Sequence, residues 1–416
     1  MLLFIDFFRY VSKIIFSRAK ILKILHLSIF ILVVSVLCTL GIPAFAQTAQ
    51  DIDNATQQSQ EFIQQEQLRQ RELQQQRRAL PDVDLGDEVD KQSDVSPAQT
   101  SCFAIDEINF EGATLLSEEE TQDLKAPYIG TCVGLSEINT LIRAITNMYF
   151  SKGYITTRAY IPRQDLSKGT LKLFVVEGKV SSIAPENDTS GVNVKTAFPK
   201  VEGKVLNLND IEQGVAQLNR LSSNRVQLDL KPGENPGETF VVIKNQPTRR
   251  INGSLSFDNT GSETTGDLQG GIVLNIDNVL NINERLFVSY RQNVENNSAI
   301  TQESDSLSAG FSVPFGYWTI SGNYSSFEYE SLIEGAVEDF DTSGTSDVAS
   351  LNVDWVFHRR KANLWTLSGG YTFKSNENFI EDALLTTSSG DLAIINTRLS
   401  HSRPLLGGEL KRLFRH

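Results

Sequence analysis

Few residues in this 416-residue chain could do covalent chemistry: three cysteines and four histidines. His26, His358, His401 and His416 are scattered, and with the cysteines they make no zinc-ligand spacing. No metal site and no cofactor is expected. No G-x-x-x-x-G-K-[ST], G-x-S-x-G or H-E-x-x-H string occurs. The common motif-bearing enzyme classes get no support, no catalytic residue is nominated, and the chain is expected not to be an enzyme. A formal net charge of −13 argues against nucleic acid as a partner, because phosphate contacts need clustered Lys and Arg.

The compartment decides what the cysteines can do. Residues 1–46 read as an export signal: a positive region carrying Arg9, Lys13, Arg18, Lys20 and Lys23, then an apolar run ending in Ala44-Phe45-Ala46. Cleavage is expected between Ala46 and Gln47; the alternative is a membrane anchor. Cys38 leaves with the signal. An even pair, Cys102 and Cys132, then meets an oxidising periplasm and reads as one disulfide, the alternative being two buried thiols. After residue 46 no apolar run reaches eighteen residues, so any span of the mature chain must be a β-strand.

The elements that hold these residues can be read from periodicity. Residues 47–79 are Gln-rich with sparse apolar positions, either a helix polar nearly all round or a disordered tether. Residues 80–100 are an acidic linker containing Pro81, Gly86 and Pro97. Residues 101–178 form an α/β module. It has a strand over Phe103–Phe110, a short helix opened by a Ser117-x-x-Glu120 capping box, and a helix capped by Ser136. That helix lines up Ile138, Leu141, Ile142, Ile145 and Tyr149 and stops at Gly153. Strands follow over Ile155–Ile161 and Leu171–Val176. Residues 179–246 repeat the β-α-α-β-β order, with Ile211, Val215, Leu218 and Leu221 on one helix face. From Arg249 the period becomes two, as in Leu307/Ala309/Phe311/Val313, with Ser, Asn, Gly and Thr between. Strands of about ten residues with one apolar and one small-polar face suit an outer-membrane β-barrel; the alternative is a soluble β-sandwich.

These segments resemble a known family, the TpsB transporters of two-partner secretion, that is, the haemolysin secretion/activation proteins of the ShlB/FhaC/HecB type. The resemblance is carried by CFAIDEINFEG (102–112), GTCVGLSEIN (130–139), MYFSKGYITTRAYIPRQDLSKGTLKLFVVEGKVSSI (148–183), AFPKVEGKVLNLNDIEQGVAQLNRL (197–221) and SFDNTGSETTGDLQGGIVLNIDNVLNINERL (256–286). It implies an α+β and all-β chain: an N-terminal plug helix, a linker, two periplasmic POTRA domains and an antiparallel transmembrane β-barrel. Expected boundaries are 47–79, 80–100, 101–178, 179–246 and 247–416. Cys102 and Cys132 match cysteine positions often seen in the first POTRA domain. The implied activity is export of one large, secreted, β-helical TpsA-type haemolysin or adhesin, with outer-membrane lipid and the barrel assembly machinery as further partners. A POTRA sheet edge could accept the unfolded client as an added strand. Arg158, Arg163 and Asp165 are the candidates for contact with client or barrel rim.

The sequence departs from the family pattern in one respect. The 168 residues from Arg249 onward suffice for roughly eight strands, about half the family's number, and an eight-stranded barrel fills its own interior. The family's arginine-glycine-aromatic motif is absent, and the last residues are LKRLFRH. The expectation is therefore the N-terminal part of a transporter that does not transport alone. Alternatives are an assembly factor for outer-membrane proteins, a passive porin, and a client-binding periplasmic remnant.

Overall fold

The computed structural model describes residues 102–187, 191–261, 266–294, 303–333, 339–360, 363–405 and 408–415. The export signal with Ala46 and Gln47, the Gln-rich segment and the acidic linker lie outside the described residues.

The first module is built on β1 (Phe103–Ile105), β2 (Glu107–Glu111), α1 (Glu118–Lys125), β3 (Thr131–Val133), α2 (Leu135–Ser151), β4 (Arg158–Tyr160) and β5 (Thr170–Val176). The strand expected over Phe103–Phe110 is two strands. β1 pairs with β3, whereas β2 runs parallel to β5. The chain changes sheets at Asp106, where Gly169 O takes the N–H of both Asp106 and Glu107. The capping box of α1 forms as read: Ser117 Oγ accepts from Glu120 N, and the Glu120 carboxylate accepts from Ser117 N. The cap of α2 is not Ser136. Gly134 holds that position, and the Glu137 carboxylate takes its N–H at 2.9 Å. Ile138, Leu141, Ile145 and Tyr149 of α2 are buried, facing Leu171 and Leu173 of β5 in one core.

The strand expected over Ile155–Ile161 shrinks to three residues. A turn closed by Thr157 N to Tyr154 O consumes its start, and Pro162, which has no N–H, ends its ladder. Past that point a side chain replaces the strand. Gln164 donates to Lys172 O and accepts from Lys172 N, both at 2.8 Å.

The second module holds β6 (Lys179–Pro185), α3 (Val194–Ala197), α4 (Leu208–Asn219), β7 (Val226–Pro232) and β8 (Glu238–Asn245). Its sheet order is β6-β8-β7, with β6 parallel and β7 antiparallel to β8. Ile211, Val215 and Leu218 of α4 pack on Val180, Val241 and Ile243.

The remaining strands form one antiparallel meander. They are β9 (Ile251–Asp258), β10 (Gln269–Asp277), β11 (Arg285–Asn293), β12 (Glu303–Phe315), β13 (Trp318–Ile333), β14 (Phe340–Arg360), β15 (Asn363–Ile380), the two-residue β16 (Ala383–Leu384), β17 (Gly390–Leu405) and β18 (Gly408–Arg415). Nine strands lie in chain order and β16 adds to β15, against the roughly eight expected. Alternation sorts the faces. Phe311, Ile320, Leu367 and Tyr371 are exposed, while Ser304, Ser306, Ser308 and Ser312 are buried.

On β12 the outward run Leu307, Ala309, Phe311, Val313, Phe315 covers roughly 27 Å at about 3.4 Å per residue, comparable to the ~25 Å apolar band of an outer-membrane barrel. At one end it meets aromatic pairs, with Trp318 stacked on Trp355 at 5.2 Å and Trp365 on His401 at 4.3 Å. At the other end the same face turns acidic, with Asp305 opposite Glu328 and Glu303 opposite Glu330. No helix among the described residues is long and apolar enough to cross a membrane.

Candidate functional site

A dense set of polar contacts among the described residues lies where the second module meets the rim of the large sheet. Helix α4 presents its core face inward and turns a second, polar stripe to the rim. Gln213, Gln217 and Arg220 are all buried there. Gln213 and Gln217 both donate to Gly316 O, at 3.0 and 2.9 Å, and Gln217 also reaches Thr319 Oγ1 at 3.2 Å. Arg359 of β14 donates to Gln213 Oε1 at 2.8 Å. Arg220 donates to Ser312 Oγ and to Asn283 O. Gly316 forms the β12–β13 turn at φ +57°, and a Cβ there would lie 2.7 Å from Pro199. Only glycine suits both the left-handed backbone and that approach. Next to it, Tyr317 donates to the Asp210 carboxylate at 2.6 Å. Burial, then this bond, pushes the Tyr317 hydroxyl well above the usual tyrosine range.

The β10–β11 turn grips the second module from the other side. Asn278, Asn281 and Asn283 adopt left-handed backbone, which asparagine tolerates better than most residues. Asn283 accepts from Asn193 N at 3.0 Å and donates to Asn193 O at 2.6 Å, an amide clasped to a peptide. The buried Glu284 carboxylate holds the N–H groups of Leu280 and Ile282. Asp277 takes Ser222 Oγ and Ser223 N, and pairs with the buried Arg285 at 3.4 Å. Gln213, Gln217, Arg220, Asp277, Asn283 and Glu284 thus each hold at least one hydrogen bond, which is what makes such burial affordable.

Between both modules and the rim lies a cleft of about 800 Å³, with Glu177, Lys179, Lys204, Asp210, His358 and Arg359 among its lining residues. Glu177 also holds the first module together, accepting from Thr114 N, Leu115 N and Tyr149 Oη. Burial is the main reason that the Tyr149 hydroxyl is raised, with the Glu177 bond next.

The nominated residues sit away from this junction. Cys102 and Cys132 are joined by a disulfide with Cα atoms 5.2 Å apart, tying the residue before β1 to the middle of β3. Arg158 lies on the edge strand β4, donates to Ile155 O and Thr157 O, and stacks over the Phe150 ring at 5.0 Å. Asp165 caps the 3-10 turn Leu166–Lys168. The hydroxyl and then the backbone N–H of Ser167 hold its carboxyl below the usual range. Arg163 is exposed near them and makes no ion pair with a described residue. The structure thus places Arg158, Arg163 and Asp165 along one edge of the first module. Sequence reading missed the rim contacts. The available signal was Gln213, Gln217 and Arg220 at i, i+4, i+7, a polar stripe at helical spacing beside an apolar one. Among the described residues no cluster of His, Cys, Asp or Glu is placed to hold a metal.

Comparison with known proteins follows this architecture. Residues 237–414 match the haemolysin secretion/activation protein ShlB/FhaC/HecB family, 103–178 the ShlB-type POTRA domain and 179–232 a POTRA domain. The outer membrane transporter CdiB of Dickeya dadantii (strain 3937) is 33% identical over 355 residues, covering 85% of this chain and 62% of that protein. The solved structure of CdiB from Escherichia coli superposes with a TM-score of 0.73 at 31% identity, covering 88% of this chain and 67% of that one. CdiB from Acinetobacter baumannii, at 19% identity and a TM-score of 0.65 over 86% and 70% of the two chains, shares the fold. The chain spans about three-fifths of the length of the curated relative from Dickeya. With two POTRA modules for the periplasm and an apolar-banded sheet for the outer membrane, the chain belongs to the ShlB/FhaC/HecB family of haemolysin secretion/activation proteins.

Proposed function

We propose that this chain serves the export of a large secreted partner protein of haemolysin or adhesin type, which its POTRA modules receive unfolded and pass to the barrel. The observation that supports it best is the edge of the first POTRA sheet. β4 is hydrogen-bonded on one side only, in the order β2-β5-β4. Tyr160 on β4 and its cross-strand partner Phe174 are both exposed, and Ile161 and Arg163 adjoin them. An extended client segment can extend this sheet through main-chain bonds while an apolar side chain lies on the aromatic pair. In the second module the corresponding antiparallel edge is β7, also paired on one side only, but its exposed residues Gln227, Lys231 and Pro232 offer no aromatic pair. The other edge, β6, is covered by residues 203–206 through Val180 N to Lys204 O and Leu206 N to Gly178 O. In this reading Arg163 is free to meet client or rim, and Arg158 shapes the edge.

A photo-reactive phenylalanine analogue at Tyr160, compared with one at Gln227 on the β7 edge, tests the assignment in cells that make a secreted partner. Cross-links at 160 and few at 227 are the expected result. Cross-links at 227 alone overturn it.

A further inference from the structure

The two POTRA modules meet end to end around the side chain of Asn207, beside Ile155 of the first module, which packs on the core of the second. Helix α2 of the first module ends at Ser151, and its last turn holds no basic residue. The carbonyls of Met148, Tyr149 and Phe150 are satisfied locally, whereas those of Ser151, Lys152 and Gly153 are met from outside the module. Asn207 Nδ2 donates to Lys152 O at 3.2 Å, Leu208 N donates to Gly153 O at 2.9 Å, and Arg360 of β14 donates to Ser151 O at 3.1 Å. The same Asn207 is the N-cap of α4, its Oδ1 accepting from Asn209 N at 2.9 Å. One amide thus closes the negative end of one helix and the positive end of the next, a favourable pairing of helix dipoles. Gly153 makes the approach possible. It stands at φ +94°, and a Cβ there would lie 2.7 Å from Asn207 Oδ1. Beyond Asn207, α4 is held to the barrel turn through Gln213, Gln217 and Arg220.

We infer that Asn207 is a positioning residue that locks the first POTRA module to the second, so that the α2–Asn207–α4 joint sets the orientation of the client-receiving edge relative to the barrel rim. The joint is partly solvent-accessible and adds a few neutral hydrogen bonds to the packing of Ile155, so losing the Asn207 bond loosens it while each module stays folded. Arg360, on an exposed strand end, adds a direct tie between the first module and the barrel. This role does not depend on which client, if any, the chain exports.

Asn207→Asp separates the two halves of the joint. The capping oxygen stays and a carboxylate at a helix N-terminus is favourable, but the donor to Lys152 O is replaced by an oxygen that repels it. The test places nitroxide labels at Asn139 and Glu234 in the full chain in detergent and reads the distance distribution by pulsed electron resonance. Amide exchange over α4 checks folding. The expected result is a roughly fivefold rise in the population outside the main distance peak, the size for one ordinary hydrogen bond, with exchange over α4 unchanged. Asn207→Ser, which can still cap but cannot span to Lys152, should act alike and serves if the aspartate variant does not fold. A distribution as narrow as that of the parent chain in both variants overturns the inference. So does broadening in Arg360→Ala alone, which would make Arg360 the lock.

Discussion

The two POTRA modules share an order of elements and differ in what stabilises them. The first has its own staple, the Cys102–Cys132 disulfide, and the polar face of α2 stays exposed at Asn139 and Thr140. The second has no cysteine, and the polar stripe of α4 is buried against the barrel rim. The module distal to the barrel is internally tied, while the proximal one draws part of its stability from a neighbour. One motif can therefore serve as a self-sufficient unit or as a docked one, depending on whether the second face of its long helix finds partners.

Core truncation should hit both modules hard and locally. Leu141→Ala in the first and Leu218→Ala in the second, each fully buried, should cost about 3–5 kcal/mol apiece. Amide exchange should rise in the altered module; a rise in the untouched module would break the picture of separate cores. Replacing both Cys102 and Cys132 by Ser should remove about 3–4 kcal/mol, given a sequence separation of 30. Denaturant titration followed by exchange should place that loss in residues 103–176 and leave 179–245 as before. Gln217→Ala should cost about 1–3 kcal/mol, because carbonyls at the β12–β13 turn lose a buried donor. Here the effect belongs to the proximal module, read as faster exchange across α4 with the first module unchanged.

The smallest contrast is set by pH. Lys152, then the Ser117 backbone N–H bond, holds the Glu120 carboxyl down at about 2 against an ordinary 4.5. A depressed carboxyl contributes stability that is present above about pH 4.5 and is lost as pH falls toward about 2. Acid should therefore weaken the α1–α2 contact over that window, and Glu120→Gln should flatten the dependence. Exchange of α1 amides against pH measures it.

Particular residues show how much could be read in advance. Tyr149 closes the apolar stripe of α2, so its burial follows from spacing alone. Ser117 and Glu120 form their box because both partners are three residues apart. The strand over Ile155–Ile161 looked long because its residues favour extended backbone, yet a turn at Tyr154 and the prolyl nitrogen at 162 leave it three residues. The cap of α2 went to Gly134 because the Glu137 carboxylate could reach back to an N–H there, whatever the residue's own side chain. The rim contacts carried almost no local signal. Gln213 meets Arg359 146 residues away, and Arg360 meets Ser151 across 209.

The sequence by itself determined the alternation that makes one face of the large sheet apolar, the two helix stripes that build the POTRA cores, and the family. These depend on periods of two and 3.6 residues, set by backbone geometry within a few positions. Only the tertiary structure decided that Gln213, Gln217 and Arg220 are buried rather than solvated, that Gly153 admits Asn207, and that α2 and α4 meet end to end. A polar side chain has no local preference strong enough to choose burial, and it is buried only where distant backbone groups complete its hydrogen bonds.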